Sequence, residues 1–214
     1  MTSGYHETRF AEDKRRNVVW EALWRSYFSN HIGPEDCVLD LGAGRCEFIN
    51  NVSAKRRIAV EMWPDFPPLL EPGVEPIVGD IADLDAIQNN SVDYAFASNV
   101  FEHVTQEHFA KTLKALKRIL SEKGRLTILQ PNYRFASREY FDDYTHVAIW
   151  SHVSIADFLG ANGYDVLDVK AKFLPLTVKS RLPVHPFLIQ AYLASPIKPL
   201  AKQMLIVAAP KSNG

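Results

Sequence analysis

Residues 37–48, CVLDLGAGRCEF, constrain the chain more than any other stretch. The first five of these residues are apolar except for Asp40. A strand with one wet face alternates polar and apolar residues. A strand that is apolar throughout belongs between two layers of helices, in a parallel sheet. At its carboxyl end Gly42 and Gly44 stand one residue apart, so backbone can turn sharply there and approach a ligand closely.

The rest of the chain alternates strands with helices. Residues 11–31 carry Val18, Val19, Ala22, Leu23 and Tyr27 at helical spacing. FINNV continues the opening strand as a helix, RIAVEM reads as a second strand, and WPDFPPLLEPG is a proline-rich connection. EPIVGD is a third strand, IADLDAI a short helix and VDYAFASNV a fourth strand. The clearest helix spans 105–121, with Phe109, Leu113, Leu116 and Leu120 in one stripe and lysines with Arg118 on other faces. Gly124 is expected to end it before a fifth strand, RLTILQPN. SIADFLGANGY then gives a helix stopped by Gly163, DVLDVKA a sixth strand and QMLIVAAP a seventh. The expected class is α/β, with a mostly parallel sheet and helices on both faces.

Composition narrows the partners. The chain has 24 Lys and Arg against 25 Asp and Glu, a formal charge of -1, so the basic surplus of a nucleic-acid binder is missing. No apolar run reaches the roughly 20 residues of a membrane span. The polar opening MTSGYHETRF has no secretory character, so the expected address is the cytoplasm. Cys37 and Cys46 have no Cys or His partner at ligand spacing and are expected to be buried thiols, with neither a disulfide nor a metal site.

In a parallel sheet, ligands bind beyond the carboxyl ends of the strands, where strand order reverses. Asp40, Gly42, Ala43 and Gly44 fall there on the first strand, Glu61 on the second and Asp80 on the third. Ser98 and Asn99 follow on the fourth, Pro131 and Asn132 on the fifth. Singly, each acid also reads as a helix cap or loop residue, Asp80 before IADL above all. Together they point to a ligand site. A dinucleotide is disfavoured, because Glu47 stands where its third glycine belongs and would repel a pyrophosphate. No Gly-Lys-Ser/Thr of a P-loop follows either. The cleft suits a nucleoside that carries positive charge and no phosphate.

The segments VLDLGAGRCEF, AVEMW, VGDIADL, DYAFASNVFEHV, LKRILSEKGRLTILQPN and FLGANGYDVLDV occur in this order over residues 36–169. In this they resemble the class I S-adenosylmethionine-dependent methyltransferases that act on small molecules. The resemblance implies a Rossmann-like, seven-stranded, mostly parallel sheet whose last strand runs antiparallel. It implies one domain over residues 1–214, with a helical lid at 1–31, a cofactor-binding core at 36–172, a cap insertion at 173–201 and a final strand at 202–210. It also implies S-adenosylmethionine as methyl donor and S-adenosylhomocysteine as product. Carried over by position, Gly42, Ala43 and Gly44 border the methionine part of the cofactor, and Asp40 holds the loop and reaches toward the ammonium. Glu61 takes both ribose hydroxyls, as an acceptor-only carboxylate can. Met62 packs on the adenine, Asp80 accepts from its amine with Ile81 alongside, and Ser98 and Asn99 lie under the sulfonium end. Family patterns often carry glycine where Cys46 stands, so a tighter pocket is expected there.

Methyl transfer is an in-line displacement, governed largely by alignment. A general base is needed only when the nucleophile arrives protonated. Residues 131–151, PNYRFASREYFDDYTHVAIWS, follow the fifth strand and can fold over the methyl group. In relatives this loop commonly carries an Asp–His pair. His146 matches the histidine, and an ordinary pKa of about 6.5 suits proton removal. Thr145 takes the aspartate's place, leaving Asp142 or Asp143 to substitute in space. The other reading of His146, a residue that merely shapes the acceptor wall, carries equal weight. His103, in FEHV, is expected to pack, as are Tyr133, Tyr140 and Tyr144. Tyr5 and Arg9 are the lid's contact candidates. The insertion, with Lys179, Arg181, Lys198 and Lys202, is expected to cap the site or form a homodimer surface. Its prolines forbid one long helix and weigh against a membrane-surface segment.

The Asn/Asp-Pro-Pro-aromatic motif of amine methylation on DNA bases is replaced here by SNVF. The expected acceptor is a small molecule, sugar or glycan precursor methylated on oxygen, with nitrogen and carboxylate acceptors open. Two rivals stand beside this reading: a catalytically silent S-adenosylmethionine-binding regulator or partner protein, and a nicotinamide-dependent oxidoreductase, which Glu47 disfavours.

Overall fold

The structure, a computed structural model, describes residues 14–176 and 184–211. Seven strands form one sheet: β1 (Cys37–Leu41), β2 (Arg56–Glu61), β3 (Val74–Val78), β4 (Val92–Ser98), β5 (Leu120–Pro131), β6 (Tyr164–Leu174) and β7 (Gln203–Pro210). Their order is β3-β2-β1-β4-β5-β7-β6. Neighbours among β1 to β5 pair in parallel. β7 runs antiparallel to both β5 and β6, as expected of the last strand. The helices are α1 (Lys14–Ser26), α2 (Glu47–Asn51), α3 (Gln106–Ile119), α4 (Tyr133–Ala136), α5 (His152–Ala161) and α6 (Pro186–Ala194).

Period-two alternation divides the strand side chains between two cores. Leu39 and Leu41 of β1, Ala95 and Ala97 of β4, and Met204 and Ile206 of β7 pack with Phe109, Leu113 and Leu116 of α3 and Ile155 and Leu159 of α5. Val38, Tyr94, Phe96 and Leu205 face the other way, onto Leu23 of α1, Phe28, and Phe48 and Ile49 of α2. Both faces of β1 are buried, which is why its sequence does not alternate. Asp40 shares the parity of Val38 and so points toward the α1–α2 layer.

α3 has the expected amphipathic stripe and caps. The Thr105 hydroxyl accepts from the His108 N–H at 3.2 Å, Glu107 lies in the first turn, and Lys117 and Arg118 lie in the last. Each fully buried large apolar side chain of that stripe contributes about 1.5–3 kcal/mol. α6 starts at Pro186 and packs against α1, so part of the insertion covers the N-terminal helix. No helix among the described residues is long and apolar enough to cross a membrane.

Three local expectations are corrected. The first helix ends at Ser26, and Phe28–Asn30 form a separate 3-10 turn. IADLDAI is a run of turns, not a helix. Asp80 Oδ1 accepts from the Ala82 N–H at 2.7 Å, a local bond that competes with helix formation. The Arg118 guanidinium then satisfies the carbonyls of Leu84 (2.7 Å) and Ile87 (3.0 Å). Gly124, finally, does not end α3. The chain enters β5 at Leu120, which pairs with Val92, and the register shifts before Tyr94 meets Arg125. Gly124 lies in this irregular stretch, where an added Cβ would stand 2.7 Å from the Val92 carbonyl oxygen and 2.8 Å from the Ser121 nitrogen.

The strand order reverses between β1 and β4, because β2 and β3 continue to one side and β5, β7 and β6 to the other. Gly42 to Gly44 and Ser98 to Asn99 therefore meet at one point, beyond the carboxyl ends of the two central strands.

Candidate active site

Left-handed backbone shapes the floor of this point. Gly42 (φ +66°) and Gly44 (φ +54°) make the turn out of β1, and the N–H groups of Gly42 and Ala43 donate to the Val60 carbonyl at 2.8 and 3.1 Å. Cys46 stays left-handed too, at φ +64°, where family relatives often carry glycine. A residue with a Cβ carries a penalty of about 1–2 kcal/mol in this conformation. Cys46 is fully buried, and burial, followed by the charges of Asp40, Glu47 and Glu61, pushes its thiol up to about 12. Both cysteines are free buried thiols, as expected.

Three carboxylates crowd the turn. Glu61 Oε2 accepts from the Gly44 N–H at 2.9 Å and Oε1 from the Trp63 N–H at 3.0 Å. Each oxygen keeps a second lone pair for a ligand. Glu47 pairs with Arg16 of α1, Nε to Oε1 at 2.7 Å. Asp40 is 3% exposed. Burial, then repulsion from Glu47 and Glu61, holds its carboxyl well above the usual range, and only the Ile49 N–H pulls the other way. An ionised Asp40 thus opposes folding unless a cation joins it.

The sign of that opposition makes a prediction. A carboxyl whose folded pKa is raised imposes no penalty below its unfolded value of about 4, and a growing one as pH rises toward the folded value. Asp40→Asn should flatten the loss of stability that sets in as pH rises above about 4 in thermal melts of the ligand-free chain, and should weaken binding of a cationic ligand. A pH profile identical to that of the parent would refute the assignment.

A cavity of about 310 Å³ opens over the turn. Asp40, Gly42, Ala43, Gly44, Ser98 and Asn99 line it, together with Asp143 and His146. Glu61, Met62, Asp80 and Ile81 stand outside the lining, along the rim formed by the ends of β2 and β3. Met62 is 55% exposed there, and Asp80 Oδ1 lies 2.8 Å from His108 Nε2. Asp142 is exposed and does not line the cavity, so of the two candidate aspartates only Asp143 reaches it. Tyr5, Arg9, Lys179 and Arg181 lie outside the described residues. Lys202 pairs with Glu139 of the cavity wall, and Lys198 donates to the carbonyls of Tyr192 (2.6 Å) and Leu193 (2.7 Å) at the end of α6.

The surroundings of His146 depart from the expected relay. Asp143 Oδ1 accepts from the Thr145 hydroxyl at 2.7 Å and from its N–H at 3.1 Å. The Thr145 oxygen meets His103 Nδ1 at 2.9 Å. The chain of contacts is therefore Asp143–Thr145–His103. His103, expected only to pack, lines the cavity with its ring 4.7 Å from that of His146. Glu102 lies beside them, fully buried. Burial, opposed by its own backbone N–H and reinforced by Asp143, pushes its carboxyl up to about 8. Neither Glu102 oxygen meets a hydrogen-bond donor on another described residue. Tyr140 packs the loop as expected: its hydroxyl donates to the Ala148 carbonyl at 2.8 Å.

Sequence reasoning missed Glu102, Arg16 and Gln203 as cavity residues. Glu102 lies next to His103 in FEHV and could have been suspected as an acid just past a strand end. Gln203 Nε2 donates to Asn99 Oδ1 at 3.1 Å across 104 residues, which no local pattern signals.

Comparison with known proteins agrees with this geometry. Residues 12–169 match the model of the methyltransferase domain family. No curated protein matches the chain in sequence. Among solved structures, a SAM-dependent methyltransferase from Archaeoglobus fulgidus is similar at 19% identity and TM-score 0.67, over 95% of this chain and 97% of that one. A putative methyltransferase in complex with the Trm112 activator of Haloferax volcanii is similar at 17% identity and TM-score 0.66, over 98% and 95%. The 1,6-didemethyltoxoflavin-N1-methyltransferase of Burkholderia thailandensis, solved with 1,6-didemethyltoxoflavin and S-adenosylhomocysteine, is similar at 17% identity and TM-score 0.63, over 98% and 84%. These likenesses are in fold, and the family match covers most of the chain. The chain belongs to the methyltransferase domain family, within the class I S-adenosylmethionine-dependent methyltransferases.

Proposed function

We propose that the chain transfers the methyl group of S-adenosylmethionine to a hydroxyl oxygen of a small molecule, sugar or glycan precursor. The observation that carries this reading is one cavity lined both by Asp40 with the glycine turn and by the imidazoles of His103 and His146. The cofactor supplies the methyl group on a sulfonium, and it is retained by charge. Asp40 faces its cationic end, Gly42 and Gly44 admit it against backbone, and Ser98 with Asn99 borders the sulfur. Glu61, oriented by the Gly44 and Trp63 N–H groups, receives the ribose hydroxyls at the rim. Met62, Asp80 and Ile81 frame the adenine beyond it. The bound 1,6-didemethyltoxoflavin of the Burkholderia protein supports a small acceptor.

The acceptor oxygen attacks the methyl carbon opposite sulfur. A C–O bond forms, the C–S bond breaks with its electron pair going to sulfur, and the hydroxyl proton leaves at the cluster that contains His146. Asp143 and Thr145 fix the neighbouring His103. A panel of phenols, sugar hydroxyls, amines and carboxylic acids, assayed by mass spectrometry with S-adenosylmethionine, tests the reading. O-methyl products are expected, and His146→Ala should lower kcat by about 10²–10⁴-fold with S-adenosylhomocysteine affinity unchanged. Products from amines alone would refute the oxygen acceptor. Cofactor binding without any product would favour a silent regulator.

A further inference from the structure

Glu102, His103 and His146 form a cluster of potential metal ligands beside the loop after β5. One ligand atom from each lies within 4.8 Å of the others, although the residues are up to 44 positions apart in sequence. Ligand atoms bound to one ion at about 2.0–2.2 Å stand roughly 3–4 Å apart, so side-chain adjustments of about 1 Å close the set. A carboxylate that is fully buried and meets no donor on another described residue is costly to leave uncompensated. Glu102 is among the residues that line the cavity.

His103 is prepared for the same task. Its Nδ1 faces the Thr145 carbonyl at 3.3 Å, and a carbonyl only accepts. The Thr145 hydroxyl, 2.9 Å from the same nitrogen, spends its hydrogen on Asp143. Nδ1 therefore carries the proton and Nε2 the lone pair. Metal-bound histidines are typically held this way, by an outer acceptor that fixes the tautomer and ring orientation.

We propose that Glu102, His103 and His146 hold a divalent transition-metal ion at the acceptor end of the cavity. One carboxylate oxygen and two imidazole nitrogens suit zinc or a neighbouring first-row ion, and suit magnesium or calcium less, since these prefer oxygen ligands. Three protein ligands leave a position for the acceptor's hydroxyl. Binding there would make the hydroxyl more acidic, so that its proton leaves from the cluster to water while the oxygen attacks the methyl carbon and the C–S bond breaks with its electron pair going to sulfur. His146 acts in this arrangement as a ligand rather than as the base. This proposal departs from the expectation, drawn from the cysteines, of no metal site. Folding brings together histidines and a glutamate whose spacing resembles no metal motif. This inference deepens the methyl-transfer reading and rests on it for the identity of the acceptor.

The test reads the ion itself. The full chain is stripped with a chelator, titrated with Co2+ by absorption and with Zn2+ by equilibrium dialysis, and titrated separately with S-adenosylhomocysteine. One ion per chain is expected, with visible Co2+ bands and an affinity reduced about 100-fold or more in Glu102→Gln and His146→Ala. His146 lies on a loop, so His146→Ala serves if Glu102→Gln does not fold. No stoichiometric uptake by the parent chain, or uptake unchanged in the folded variants, overturns the site. S-adenosylhomocysteine binding without ion uptake would sink this inference alone. Ion uptake without S-adenosylhomocysteine binding would sink the methyl-transfer reading and leave the ion site standing.

Discussion

Gly42→Ala should destabilise the chain by about 2–5 kcal/mol and abolish measurable S-adenosylhomocysteine binding. Two effects add. The φ of +66° at Gly42 is a conformation that side chains rarely adopt, and it costs about 1–2 kcal/mol once a Cβ is present. That Cβ would also stand 2.7 Å from Cγ2 of Val100, well inside contact distance. Overpacking of this kind costs about 1–3 kcal/mol, and relief by moving the turn would break the Gly42 and Ala43 bonds to Val60. For a chain of this size the melting temperature should fall by roughly 4–20 °C. The double variant Gly42→Ala with Val100→Ala should recover part of the stability, because it removes the collision and leaves the backbone strain. An unchanged melting temperature in Gly42→Ala would show that the turn is not held as described.

The second large effect is expected at Glu61. Glu61→Ala removes the acceptor of the Gly44 and Trp63 N–H groups as well as the acceptor proposed for the ribose. Losing hydrogen bonds to a charged group costs about 1.5–3 kcal/mol, so the S-adenosylhomocysteine Kd should rise roughly 10- to 150-fold. Glu61→Gln keeps the shape and one acceptor oxygen, but its NH2 confronts one of the two backbone donors. It should therefore fall between the parent and Glu61→Ala. Calorimetric titration of the three proteins gives the order directly. Parental affinity in Glu61→Ala would remove this residue from the cofactor site.

The parts of the fold that repeat were legible in the sequence. Unbroken apolar strands require cover on both faces, so β1 announced the parallel sheet. The stripe from Phe109 to Leu116 announced α3. What was not legible depends on partners distant in the chain. IADLDAI has helical composition, yet Arg118 from α3 satisfies its carbonyls as turns. Gly124 looks like a helix stop, but the irregular pairing of β5 with β4 uses it instead. In the site, Asp40, Gly42 and Ser98 could be placed because strand ends are periodic and visible. His146 and Asp143 could be singled out from their loop, but their grouping with Glu102 and His103 could not, because it joins the loop after β5 to the segment after β4. Thr145 seemed to break an Asp–His relay. In the folded chain it links Asp143 to His103.

The account rests on an acidic turn that receives a cationic nucleoside without phosphates. Its most direct test is isothermal titration of the ligand-free chain with S-adenosylmethionine and, separately, with NAD. The account predicts one S-adenosylmethionine per chain, weakened by Asp40→Asn, and no heat from NAD. Binding of NAD in place of S-adenosylmethionine, or S-adenosylmethionine affinity indifferent to Asp40, would contradict it.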